Sequence, residues 1–130
     1  MEYQSQVYGL PEYKSKFDEI IQFLISINCQ VVDVVFGFTW GCTIYAGDWI
    51  SEPIDLKNIW TRINEIERAG HGKFGYDEIT LIIQSENLEI LFCHENDIHL
   101  EYTHETRIVQ SLMEIVPKIE RSNSGDNDGT

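Results

Sequence analysis

EITLIIQSENLEILFCHENDIHLEY, Glu78 to Tyr102, decides how this chain folds. EITLIIQ (Glu78 to Gln84) and NLEILFCH (Asn87 to His94) are dense in Ile, Leu and Phe, as buried strands are. DIHLEY (Asp97 to Tyr102) alternates Ile98, Leu100 and Tyr102 with His99 and Glu101, so one of its faces is apolar and the other polar. The gaps between the runs are too short for the crossover that parallel strands need, so the three strands must pair antiparallel. A tight turn at Ser85-Glu86 joins the first two. A loop of Glu95-Asn96-Asp97 would set Cys93 opposite His99. A loop of Asn96-Asp97 alone would set His94 there instead.

Outward from this core, the flanks alternate helices and strands. Pro11 opens a helix in which Phe17, Ile20, Ile21, Leu24 and Ile27 recur at helical spacing, with its end near Asn28. VVDVVFGF (Val31 to Phe38) predicts a strand, and Gly41 and Gly47 bracket a second, short one expected to pair with it as a hairpin. SEPIDLKNIWTRINEIERAG predicts a helix capped by Ser51 or Asp55, striped by Leu56, Ile59, Trp60, Ile63 and Ile66, and stopped by Gly70. Thr103 is expected to cap a last helix using Ile108, Leu112, Ile115 and Ile119, which Pro117 kinks or ends. The order α-β-β-α-β-β-β-α gives an α+β fold: a mainly antiparallel sheet of about five strands with three helices packed on one face. Residues 1–120 are expected to form a single domain, and the Gly- and Asp-rich residues 121–130 a disordered polar tail.

Charge narrows the partners. The chain of 130 residues has a net charge of -13. Nucleic acid and anionic membrane surfaces need Lys and Arg to neutralise phosphate, so neither is expected as a direct partner. No Lys or Arg occurs between Lys73 and Arg107, a span holding Asp77, Glu78, Glu86, Glu89, Glu95, Asp97, Glu101 and Glu105. Asp33, inside VVDVV, is expected on the sheet's open face. The opening residues lack the basic and apolar regions of a secretory signal, no apolar run is long enough to span a bilayer, and the three cysteines form no CxxC. A cytoplasmic protein with reduced thiols follows.

Three chemical patterns invite a catalytic or metal assignment. GHGKFG (Gly70 to Gly75) matches the dinucleotide-binding pattern, but it follows a helix and precedes a strand, the reverse of what that site requires. Cys93, His94, His99 and His104 are zinc-ligand types. Adjacent strand residues point to opposite faces, so Cys93 and His94 are not expected to share a metal, and neither a metal nor any other cofactor is expected. His94, His99 and Glu101 form the nucleus of a candidate enzyme site, although no nucleophile elbow or phosphate loop accompanies them.

The loop and hairpin GHGKFGYDEITLIIQ…LEILFCHENDIHLEY, from Gly70 to Tyr102, together with the small size and acidity of the chain, resemble the immunity proteins of bacterial polymorphic-toxin and contact-dependent inhibition systems. The resemblance implies a non-enzymatic, stoichiometric inhibitor that occludes a toxin domain, in the bacterial cytoplasm. A toxin that attacks nucleic acid is basic, so the expected contact surface is acidic: Glu89, Glu95, Asp97, His99, Glu101, Asp33 and Asp48. Trp40 and Trp49 are core or interface anchors in this reading. The alternatives are the small enzyme built on His94, His99 and Glu101, and an acidic adaptor or regulatory module for another basic protein.

Overall fold

The computed structural model describes residues 1–37 and 50–118. In chain order the elements are β1 (Glu2–Gln4), α1 (Leu10–Ser26), β2 (Val31–Phe36), β3 (Ser51–Asp55), a 3-10 turn (Leu56–Asn58), α2 (Ile59–Arg68), β4 (Ile79–Ile83), β5 (Leu88–Phe92), β6 (Ile98–Tyr102) and α3 (Arg107–Ile115). The six strands form one antiparallel sheet in the order β1-β6-β5-β4-β2-β3. The fold is α+β as expected, and the described residues hold six strands where the sequence suggested about five. No described helix is long and apolar enough to cross a membrane.

The strands alternate as a one-sided sheet demands. Val34, Leu81, Ile90 and Leu100 are fully buried and join Phe17, Ile20 and Leu24 of α1, Ile63 of α2 and Leu112 of α3 in one hydrophobic core. The described helices therefore share one face of the sheet. Rings meet at the centre of that core, with Phe17 edge-on to Phe92 at 4.6 Å and to Phe74 at 5.0 Å. Such aromatic pairs add roughly 0.5–1.5 kcal/mol beyond the area they bury.

Helix ends follow local chemistry. α1 stops where Asn28 enters the left-handed region at φ 67, with Asn28 and Cys29 N–H groups bonded back to Ile25 and Leu24 carbonyls. α2 stops the same way at Gly70 (φ 79), its neighbour His71 donating to the Ile66 carbonyl. The first glycine of GHGKFG is thus a helix terminator. The loop after it is tied down by carboxylates, Glu67 accepting from Phe74 N–H at 2.8 Å and Asp77 from Lys73 N–H at 2.9 Å. α3 is capped by Thr106 rather than Thr103, its hydroxyl accepting from Val109 N–H at 3.3 Å, and it ends at Ile115, ahead of Pro117.

Two expectations fail at the sheet edges. Ser51–Asp55 is strand β3, not the start of a helix, and Ile54 is buried opposite Val32. β3 lies at an edge, where Pro53 costs no ladder hydrogen bond to an outer neighbour. Asp55 still acts as a cap, accepting from Lys57 N–H at 3.0 Å, but it caps the 3-10 turn that leads into α2. The other edge, β1, is a strand of 3 residues with too little pattern to read in isolation. Trp60, expected in the core, stands half-buried at its rim and donates its indole N–H to Asp18 at 2.6 Å. The short strand expected between Gly41 and Gly47, with Trp40, Trp49 and Asp48, lies outside the described residues, as do Ile119 and residues 121–130.

Candidate functional site

The face of the sheet away from the described helices is acidic. Register aligns its outward side chains into two rows that cross the strands. One runs Glu2, Glu101, Glu89, Ile82, Asp33 and Pro53 from edge to edge. The other runs Gln4, His99, Leu91, Thr80, Val35 and Ser51. Neither row contains Lys or Arg. Glu2, Glu101 and Glu89 stand directly opposite one another on neighbouring strands, an arrangement that disfavours the fold, because like charges paired across strands repel. A hollow of ≈ 100 Å³ opens among Glu2, Glu89, Glu101, His99, Thr80 and Leu91. Arg62, by contrast, stays on the helical side, where its guanidinium grips Glu52 at 2.7 and 3.2 Å.

The β5–β6 connection departs from both predicted registers. Phe92 pairs with Ile98 and Leu91 with His99. Cys93 N–H donates to the Asp97 carbonyl at 3.0 Å and Asn96 N–H to the Cys93 carbonyl at 2.9 Å, so the loop is His94-Glu95-Asn96, one residue earlier than expected. Asn96 decides this. It adopts φ 69, the left-handed position that closes a three-residue hairpin and that Asn tolerates.

That shift moves Asp97 from the loop into the interior. It is only 1% exposed, which corrects the expectation that it lines an outer surface. One carboxylate oxygen accepts from Gln4 Nε2 at 2.7 Å and meets His99 Nε2 at 2.9 Å, while the other is buried without a hydrogen-bond partner. His99 Nδ1 also lies 3.8 Å from Glu2. Glu95 is exposed on the turn, and Glu89, Glu101, His99 and Asp33 share the open face as predicted. Asp33 receives a long contact, 3.5 Å, from Gln84 Nε2.

Cys93 and His94 do not occupy a regular strand, so alternation no longer separates them. His94 Nδ1 lies 2.7 Å from Glu78 Oε2, and Cys93 Sγ lies 3.6 Å from each of these atoms. Burial first, and then the carboxylates of Asp97 and Glu78, push the Cys93 thiol up to about 12. With no metal bound it is protonated at neutral pH and is a poor nucleophile. The proposed enzyme nucleus is divided: His94 meets Glu78, His99 meets Asp97, and Glu101 faces Glu2 and Glu89. Glu2 and Glu78 are the site residues that sequence reasoning missed. Glu78 was read only as the first residue of a strand, and its partner was fixed by the turn opposite.

A second hollow, ≈ 580 Å³, lies between α1 and α2 against Leu10, Lys14, Trp60 and Phe74. Its two carboxylates are already engaged, Asp18 by Trp60 and Glu67 by Phe74 N–H. No family model matches the chain, and no curated protein and no solved structure matches it.

Proposed function

We propose that this chain is a stoichiometric inhibitor, an immunity protein that binds a basic toxin domain with the open face of its sheet in the bacterial cytoplasm. The observation that supports this reading is the row Glu2-Glu101-Glu89, three carboxylates held opposite one another around a hollow. Such a row weakens the isolated fold and gains its compensation only when a cation enters. Half-buried Ile82, Leu91 and Val35 lie beside it. An apolar strip rimmed by one sign of charge suits an arginine- or lysine-bearing surface, with the apolar contact supplying area and the carboxylates supplying selectivity. The hollow has room for the head of one basic side chain. Inhibition by occlusion requires no turnover and no cofactor from this chain.

The test asks whether a secreted protein is encoded immediately upstream of this gene and, if it is, uses its C-terminal domain, produced with and without the present chain. Co-expression is expected to restore growth and to yield a one-to-one complex, and Glu89→Lys/Glu101→Lys is expected to abolish both while remaining folded. A folded double variant that neutralises as well as the unaltered protein, or an upstream gene with no such domain, would overturn the proposal.

A further inference from the structure

We infer that Glu78, Cys93 and His94 form a binding site for a zinc-class divalent cation at the β5–β6 turn. The three donor atoms, Oε2, Sγ and Nδ1, belong to one group whose members all lie within 4.8 Å of one another. Tetrahedral zinc with ordinary bond lengths to sulfur, nitrogen and oxygen separates S from N and S from O by about 3.6 Å, and N from O by about 3.4 Å. Here the two sulfur distances are both 3.6 Å. Only the His94–Glu78 separation, 2.7 Å, is shorter than a metal would hold it, because a hydrogen bond now spans that gap. The His94 side chain is 37% exposed, so a small rotation of the imidazole opens the triangle without disturbing the core.

The frame is fixed in advance. The Cys93 backbone is held by Asp97 and Asn96 and by the Tyr13 hydroxyl, which donates to its carbonyl at 3.1 Å. A second observation points to the same site. Asp97, with His99, forms another donor group around the same sulfur, and one oxygen of its buried carboxylate has no donor unless the Cys93 thiol supplies it, a proton that metal binding removes. A buried, unpartnered carboxylate oxygen is costly, and positive charge beside the sulfur offsets it. Asp97 and His99 therefore act from behind the sulfur, as the groups around a metal thiolate commonly do. Binding forms bonds from the metal to Sγ, Nδ1 and Oε2 and releases the thiol proton to solvent. Among the described residues three protein ligands are supplied, and a tetrahedral ion takes its fourth from water or another donor.

The experiment uses untagged, reduced, chelator-treated full chain titrated with zinc chloride by calorimetry and with cobalt chloride by absorption. One equivalent is expected to bind, and cobalt is expected to give thiolate charge-transfer and tetrahedral visible bands. Cys93→Ser should remove the thiolate band. His94→Ala and Glu78→Gln, both outside the core, should weaken zinc binding at least tenfold. Cys29→Ser and His104→Ala should bind as the unaltered chain does. Circular dichroism establishes that each variant is folded. The assignment is overturned by the absence of a thiolate band, by a band that survives in Cys93→Ser, or by a band lost in His99→Ala yet unchanged in folded His94→Ala.

Discussion

Single residues set the turns that place the site. Asn28, Asn87 and Asn96 each take a positive φ (67, 49 and 69), a region that costs most L-residues roughly 1–2 kcal/mol and that Asn enters more easily. Asn28 is the cleanest test because its side chain is exposed at the end of α1. Asn28→Gly is expected to leave stability within about 0.5 kcal/mol, whereas Asn28→Val should lower it by about 1–2 kcal/mol. Urea denaturation of the three proteins decides it, and a Val variant as stable as the unaltered chain would show that α1 does not depend on this terminator. At Asn96 the same preference has a larger consequence. It moves the loop one residue toward Cys93, buries Asp97 and aims Cys93 and His94 at Glu78.

Pairs of elements create the acidic row. Neither β1, β5 nor β6 is unusual alone. Their register sets Glu101 between Glu2 and Glu89. Each like-charge pair costs on the order of a few tenths of a kcal/mol, and an opposite charge at the centre converts two repulsions into attractions. Glu101→Lys is therefore expected to raise stability by about 0.5–1 kcal/mol at low salt, a gain that shrinks as salt screens the pairs. Denaturation curves at low and high ionic strength measure this. Stability that falls, or that rises equally at both salts, would mean the three carboxylates do not feel one another. A substitution that strengthens the fold while abolishing inhibition would separate a binding role for Glu101 from a structural one.

At the scale of the whole molecule, the basic charge of the described residues is segregated by face. Basic residues belong to the helices and their flanking loops, as Arg62 and Lys14 illustrate, while the outward rows of the sheet hold only neutral and acidic groups, apart from His99. Opposite charge at this range acts chiefly on encounter rates, which electrostatic steering raises by roughly 10- to 1000-fold at low salt. Asp33→Lys/Glu89→Lys/Glu101→Lys should thus slow association with the basic partner proposed above by at least about tenfold at low salt, with the two rates converging as salt rises. Stopped-flow fluorescence over a salt series reads this directly. Equal rates at low salt for a folded variant would leave the sheet face as a solvated surface. Asp97 is unsuitable for such a set, since a lysine there would enter the core.

The sequence alone specified the three helices, the antiparallel β4-β5-β6 core and the outward direction of Asp33, Glu89, His99 and Glu101. Those features follow from periodicity, and periodicity is a property of a segment. It also determined the Gly70 terminator, because glycine's freedom at positive φ is local. That Ser51–Asp55 is an edge strand depended on long-range pairing, since the free ladder of β2 outweighs the weak helical preference of SEPID. Only the tertiary structure turned Glu2-Gln4 into a strand, because three residues acquire that state from β6 and not from their own pattern. The cluster of Glu78, Cys93 and His94 was hidden for the same reason. Strand alternation forbids adjacent residues from sharing a ligand, and that rule lapses where a left-handed Asn96 ends the strand at Phe92. Local chemistry is legible in one dimension, but the distance between two distant side chains depends on register, and register is settled only when the whole sheet closes on its core.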